Sequence, residues 1–482
     1  MAACAIVAIS PEAARPLLKT TALARRPALG LAVVGLGASI GPLDFSVTVA
    51  FPAIAAAFAL QTSDIRWVAV WYVLSYGSLM LAFGALGDRI GHLRVFRFGL
   101  VLSAFAYGLC AIAPSYPWLL ATRVLQGIAV ALTISCGPAL AIAVFAEHQR
   151  TRALAGYAAM ASLAGIVAPI IGGASVALMG WPGVYWFRLP VVLLALACLP
   201  LLGPEIGRVQ GKPAPFDFGG SVLLSGGVAL LLLLPALLRP DKAGLLAVPV
   251  ALGSVLLLSL FVRRQRRSTT PFLPHTVVRD GDFILANVSS MVVQFACFAI
   301  PLTVPYYLTR IAGWGPVATG GLLAIWALGA MAGSAYASPA LRRRGARPTV
   351  LHAGVLVIAG LAAISFWSNT PHFLFMFVCL LVQGVGIGLF QVAYTDLVVI
   401  ALPASARGVA GSLTMVTRTI GIVIGASAWM WMLQAIESAG VSDGMSARDA
   451  FIAAFNSVFR SAAVVAGLFF VFSFRRWRAG AE

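Results

Sequence analysis

Gly84-Ala85-Leu86-Gly87-Asp88-Arg89-Ile90-Gly91-His92-Leu93-Arg94-Val95 lies between two apolar runs, 67–86 and 95–113, each about the twenty residues an α-helix needs to cross a bilayer. A chain that reverses so quickly needs glycine for the turn and for close approach of the two helices. Asp88 is placed either to pair with a neighbouring basic residue or to cap a helix N-terminus. Outward from this loop, runs of the same length recur near 28–53, 117–141, 154–178 and 184–203, then at 218–238 and 244–262. After a basic loop they continue at 282–309, 316–338, 348–367, 372–400, 407–434 and 450–474. The pattern predicts an all-α integral membrane protein with about fourteen transmembrane helices, six, two and six along the chain.

Composition excludes the alternatives. Of 482 residues, 61% are hydrophobic and 10% charged, whereas soluble domains carry roughly 25% charged residues. No long stretch alternates polar and apolar residues at period two, which argues against a membrane β-barrel. Helices then satisfy the backbone in hydrocarbon. The net charge of +18 is read as basic loops on one side of a membrane rather than as a nucleic-acid surface. Assigned to alternate loops, 24 of the 33 Lys and Arg fall on one side. Arg66, Arg239, Lys242, Arg310 and Arg448 fall on the other, and Arg123, Arg188, Arg418 and Arg460 lie within or at the edge of spans. Both termini are thereby expected in the cytoplasm of a cell with an inner membrane, and the scarcity of lysine suits a GC-rich bacterium.

The expected organisation is a cytoplasmic tail over 1–27, a six-helix bundle over 28–203, and a linker with two inserted helices over 204–281. A second six-helix bundle follows over 282–474, then a short tail over 475–482. Each bundle has a loop rich in glycine and arginine after its second helix, at 84–97 and 338–348, as in a duplicated transporter. The inserted pair carries no charge within its spans, which suits a structural role against lipid. The cysteines and histidines have neither disulfide nor metal-ligand spacing, so no metal and no cofactor is expected. No nucleophile, acid pair or metal cluster marks a membrane enzyme.

A few charges interrupt the apolar spans. Asp44, in Leu43-Asp44-Phe45-Ser46, is a carboxyl group inside the first span, suited to reversible protonation because burial penalises its charged form; the other reading is an acid in a fixed ion pair or at the outer membrane edge. Arg123, in Arg123-Val124-Leu125-Gln126-Gly127, needs a polar interior or must reach the outer interface. Arg188, among Tyr185, Trp186 and Phe187, reads first as an interfacial anchor. Asp396 and Arg418 either neutralise each other or serve transport. Ala164, Ala168 and Gly172 are spaced four apart for close helix packing, beside Pro169 and Gly173, as are Gly421 and Gly425.

These segments resemble, in order, the motifs of the major facilitator superfamily, and with the six, two, six layout its fourteen-span drug:proton antiporters. The Gly84–Val95 loop resembles the superfamily signature, with His92 and Leu93 at two basic positions. The resemblance implies that Gly84, Asp88, Arg89, Gly91 and Arg94 form a cytoplasmic gate. The Arg123 segment resembles the motif whose arginine is linked to proton movement. The Pro169-Gly172-Gly173 segment resembles the antiporter motif, with Ala168 where the family has glycine. Asp44 resembles the first-helix acid of the fourteen-span group, but it stands eight residues before Pro52, one fewer than that pattern, and one residue turns a helix by about 100°. The implied function is export of a lipophilic or cationic small molecule in exchange for protons by alternating access, the protein working as a monomer among membrane lipids. A dedicated metabolite transporter, including an uptake system, is the alternative. Asp44 is the expected proton site and Arg123 its modulator. Tyr72, Tyr76, Gln294, Tyr306, Trp326, Gln383 and Gln391 are candidates for the substrate pocket or for packing between helices.

Overall fold

The computed structural model describes residues 27–145, 149–203, 206, 218–237, 244–267, 281–400 and 407–479. The N-terminal tail, most of the 204–281 linker outside its two helices, and the last three residues lie outside the described set. The helices are α1 (Pro27–Ala38), α2 (Ile40–Leu43), α3 (Ser46–Ala57), α4 (Arg66–Ile90), α5 (His92–Ala111), α6 (Tyr116–Ala143), α7 (Arg150–Met179), α8 (Gly183–Trp186) and α9 (Arg188–Cys198). They continue as α10 (Phe218–Leu237), α11 (Gly244–Arg267), α12 (Gly281–Cys297), α13 (Ala299–Arg310), α14 (Pro316–Arg344), α15 (Ala346–Ile364), α16 (Phe373–Ile400), α17 (Arg407–Ser442) and α18 (Ala447–Ala479). No strand occurs among the described residues.

By length and apolar character, 12 helical segments can cross a membrane, or 13 when α4 with its preceding turn, bent by 47° between Met80 and Ala82, counts as one span. This is below the fourteen expected from sequence. The difference falls on α10, where the apolar stretch Val222–Leu231 is shorter and the segments just outside the helix are not described. The outward faces fit lipid: Phe105, Leu252 and Leu468 are 66%, 65% and 70% exposed, which water would penalise and hydrocarbon does not.

The expected first span runs as one path, Pro27–Ala57. Its regular α-helical hydrogen bonding is interrupted twice, at Ser39 and again at Asp44-Phe45, while the backbone stays right-handed helical. Pro42 is the local cause, because it lacks an N–H and its ring crowds the carbonyl of Ala38 one turn earlier. The turn tightens in response: Asp44 N–H donates to the Gly41 carbonyl at 3.0 Å and Phe45 N–H to that of Pro42 at 3.2 Å. A matching break separates α12 from α13 at Phe298, with Pro301 one turn after Cys297. Pro305 follows Phe298 at the same interval as Pro52 follows Phe45.

Within α1–α9, α6 packs on α4 and α5, and α7 on α3. Within α12–α18, α16 packs on α14 and α15, and α17 on α12 and α18. The two sets meet where α7 lies along α14, α4 along α17, and α13 and α14 against α3. The α7–α14 contact is backbone to backbone: a Cβ on Gly173 would strike the chain at Pro316, and one on Gly320 the Pro169 carbonyl. These contacts lie toward the end opposite the Gly84–Val95 loop. At that same end Gln434 donates to Gln61 at 2.9 Å. The inserted α10 packs on α4 and α17, one helix from each set, and Ser225 donates to the Ser78 carbonyl at 2.6 Å.

Candidate functional site

The break in the first span turns Asp44 into a cluster on α6 and α9. Arg123 grips both carboxylate oxygens, Nη1 to Oδ1 at 2.7 Å and Nη2 to Oδ2 at 2.8 Å. Arg188 Nη1 donates to Oδ1 at 2.8 Å, and so does Gln126 Nε2 at 2.8 Å. The donors are themselves held. Arg123 Nε donates to the Val68 carbonyl at 2.9 Å and its Nη1 to Gln126 Oε1 at 2.7 Å, while Arg188 Nη2 donates to Ser46 Oγ at 3.0 Å. Aromatic faces complete the shell: the Arg123 guanidinium lies 4.2 Å from the Tyr72 ring centre, and that of Arg188 lies 5.2 Å and 5.3 Å from those of Tyr107 and Tyr185.

Arg123 is 1% exposed and Arg188 0%, so neither reaches an interface. That overturns the reading of Arg188 as an interfacial anchor. An apolar helix tolerates a guanidinium in its middle when a carboxylate and aromatic faces meet it there, and α9 places Arg188 facing α5 and the first-span break. Two guanidiniums share one carboxylate, so the cluster keeps one positive charge over when Asp44 is ionised.

Two features carry this cluster toward the second set of helices. The Phe45 ring, next to Asp44, lies 5.2 Å from the Trp326 ring on α14. Trp326 Nε1 donates to Gln383 Oε1 on α16, and Gln383 Nε2 donates to Cys297 Sγ at 2.9 Å. Ser46, on the other side of the break, faces Gly172 of α7, adjacent to Gly173 and its contact with α14. Leu43, Ala164 and Ala168 bury together on the same seam. The small-residue face of α7 therefore receives the broken helix.

The remaining sequence candidates divide. Tyr72 joins the cluster through Arg123 and touches Tyr76, ring centres 5.4 Å apart. Trp326 and Gln383 bond to each other. Gln294 is buried beside Gly421, and Gly425 meets the Phe295 backbone, so both glycines seat α17 on α12. Tyr306 is 4% exposed with an unpartnered hydroxyl, and Gln391 is half-buried. Among the described contacts none joins Gln294, Tyr306 or Gln391 to the Asp44 cluster. Nor does an ion pair join Asp396 to Arg418 among the described residues, so of the two readings mutual neutralisation is not the one the structure holds.

In the α4–α5 loop Gly91 has φ 101°, a conformation that L side chains rarely adopt, and it lets α5 start directly after α4. Gly345 has φ 78° at the matching turn after α14. Asp88, Arg89 and Arg94 are exposed. Asp88 pairs with His92 Nε2 at 3.1 Å, so the histidine at a position basic in the resembling loops supplies the partner. Gly87 packs against His92 and Cys136, while Gly84 has only Ser135 within reach.

The sequence motifs name Gln126, Ser46 and Tyr185 without giving them a role in this cluster, and Tyr107 lies outside them. One signal was available. Gln126-Gly127 on α6 recurs as Gln383-Gly384 on α16, and the Asp44-Phe45 break recurs as Cys297-Phe298. Each glutamine reaches the residue at its own break. One half carries an acid there and the other a thiol. No group of three or more potential metal ligands occurs among the described residues.

A helical body with many membrane-length spans, two similar sets of helices and a charged cluster at a broken helix define a multi-pass membrane transporter. The profile of the Major Facilitator Superfamily matches residues 28–426. The chain belongs to that superfamily, whose members are transporters rather than enzymes. Among curated proteins it is 29% identical over 404 residues to a methylenomycin A resistance protein of Bacillus subtilis, covering 82% of this chain and 85% of that one. It is 29% identical over 417 residues to the multidrug efflux pump LfrA of Mycolicibacterium smegmatis, covering 84% and 81%. It is 23% identical over 401 residues to a riboflavin transporter of Clostridioides difficile, covering 82% and 86%. In fold it is similar to a peptide transporter solved with sulfate, with TM-score 0.69 at 15% identity over 92% of this chain and 94% of the other.

Proposed function

We propose that the protein is a proton-coupled exporter of lipophilic small molecules, of the fourteen-span drug:proton antiporter group, with α10 and the bent α4 each counted as a span. The observation that carries this reading is Asp44 held by Arg123 and Arg188 at a break in the first span. Proton arrival at Asp44 neutralises the carboxylate and frees two guanidiniums. The break then relaxes, and Ser46 and Phe45 pass the change to α7 and to Trp326. Rocking of two six-helix bundles, 28–203 and 282–474, follows from movement at these two contacts. With the basic loops and both termini in the cytoplasm of a bacterial inner membrane, the α7–α14 and Gln61–Gln434 contacts close the outer side, an inward-facing state. Gly84, Asp88, Arg89, Gly91 and Arg94 then belong to the gate that closes the inner side in the other state.

The drug-export reading draws on the efflux and resistance proteins among the relatives. The riboflavin transporter supports a second reading, a dedicated metabolite carrier. One experiment separates them: the protein in liposomes, an imposed pH gradient, and methylenomycin A or riboflavin as the test compound. Export predicts compound movement against proton flow, abolished by Asp44→Asn. Gradient-driven movement that survives Asp44→Asn would falsify the assignment of the proton site, and movement of riboflavin alone favours the second reading.

A further inference from the structure

The second set of helices holds a polar cluster that the proton site does not use. Asn287 and Ser290 stand one turn apart on α12, Gln391 and Tyr394 one turn apart on α16, and Thr417 and Arg418 adjoin on α17. Residues three apart share a helix face, so three helices turn polar faces to one place. The hydroxyls of Tyr394 and Thr417 both donate to Asn287 Oδ1, each at 3.2 Å, and Asn287 Nδ2 donates to the Phe283 carbonyl at 2.9 Å. Asn287 is thereby engaged in holding the three helices together. Ser290 and Arg418 both lie within interaction range of the Tyr394 hydroxyl.

Two donors of this cluster, Ser290 Oγ and Arg418 Nε, are buried without a hydrogen-bond partner. Ser290 is 0% exposed. Native interiors satisfy nearly all such atoms, and two unsatisfied donors on helices joined through Asn287 mark a place where an acceptor binds. The charge of Arg418 has no ion-pair partner among the described residues. Asp396 is two residues beyond Tyr394, about 200° around the helix from it, and so faces away from the cluster. At the other charged centre Asp44 already meets two guanidiniums and a glutamine amide. A cationic compound would have to displace them, whereas an anion meets an uncompensated guanidinium.

We propose that this cluster docks an anionic group of the transported compound, a carboxylate in the simplest case. Arg418 provides the charge, and the Ser290 hydroxyl provides a further hydrogen-bond donor. The inference rests on the transport reading above and narrows its substrate class to lipophilic anions.

The test is equilibrium binding to the full chain in lipid nanodiscs, without a gradient, using 1-naphthoate, its methyl ester and 1-naphthylmethylammonium. Naphthoate should bind about tenfold tighter than the ammonium compound. Arg418→Gln should remove that preference while leaving the ester unchanged, and Arg418→Lys should restore part of it. If Arg418→Gln loses ester binding as well, Ser290→Ala reads the same ratio. No binding of naphthoate, an equal or tighter ammonium complex, or a ratio unmoved by the variants overturns the proposal. Because binding is read without a gradient, loss of proton coupling leaves this result interpretable. Intact gradient-driven transport without any naphthoate preference refutes the substrate class alone.

Discussion

Arg188 Nη1 and Asp44 Oδ1, 144 residues apart in sequence, meet at 2.8 Å inside the first set of helices. The contact ties α9 to the break in the first span and makes Asp44 the shared acceptor of two buried cations. Its energetic weight follows from burial. An ion pair in low dielectric gains little over an apolar pair, but loss of one partner strands the other charge.

Asp44→Asn therefore strands two arginines and is expected to cost about 3–5 kcal/mol of stability. Arg188→Gln leaves the bidentate Arg123 pair and should cost less, about 1.5–3 kcal/mol for the lost charged hydrogen bonds. The double variant should be less destabilised than the sum of the two, because the second change removes a charge the first left unpaired. Thermal unfolding in detergent checks all three, and strict additivity would count against a shared site.

Gly173 and Gly320 set how closely α7 approaches α14. Gly173→Leu or Gly320→Leu puts a side chain into backbone of the opposite helix and should hold that end of the molecule apart. The expected outcome is normal membrane insertion with transport reduced at least about tenfold. Spin labels placed near Gln61 and Gln434 should show a longer separation than in the parent protein.

Phe45→Ala removes the aromatic contact with Trp326 without touching the Asp44 ion pairs. Transport should slow while proton binding at Asp44 persists, which a pH jump with a proton-sensitive dye can register. A loss of proton binding would place Phe45 in the carboxylate site itself.

The α4–α5 turn separates a conformational effect from a charge effect. Gly91→Ala forces an L residue to φ 101°, ψ 127°, outside the left-handed helical region, and should cost about 1–3 kcal/mol. His92→Ala removes the partner of Asp88, whose side chain is 74% exposed, and surface pairs contribute about 0–1 kcal/mol. Stability should fall clearly in the first variant and little in the second. Transport should fall in both if the loop gates the inner side.

Asp44 shows how far local pattern reaches. Its position inside an apolar run was plain, and so was the need of Arg123 for a polar neighbour, because an isolated charge in hydrocarbon is costly wherever the helix points. The one-residue change in spacing to Pro52 made its direction ambiguous. The structure resolves that ambiguity by tightening the helix at Asp44-Phe45 to i→i−3 hydrogen bonds, which turn each residue by about 120° rather than 100°. Arg188 was misread for a related reason: aromatic neighbours mark an interface and also line a buried guanidinium, and sequence alone does not separate the two.

The sequence by itself determined that the chain lives in a membrane and roughly where its helices begin and end. Hydrophobic length and loop charge are local quantities, readable one segment at a time. Only the tertiary structure decided that Asp44, Arg123, Gln126 and Arg188 form one centre, and that Asp396 and Arg418 do not form a pair. Those contacts span 79, 82 and 144 residues for the three partners of Asp44. They depend on how helices rotate and pack against one another, set by small-residue seams and helix breaks acting together.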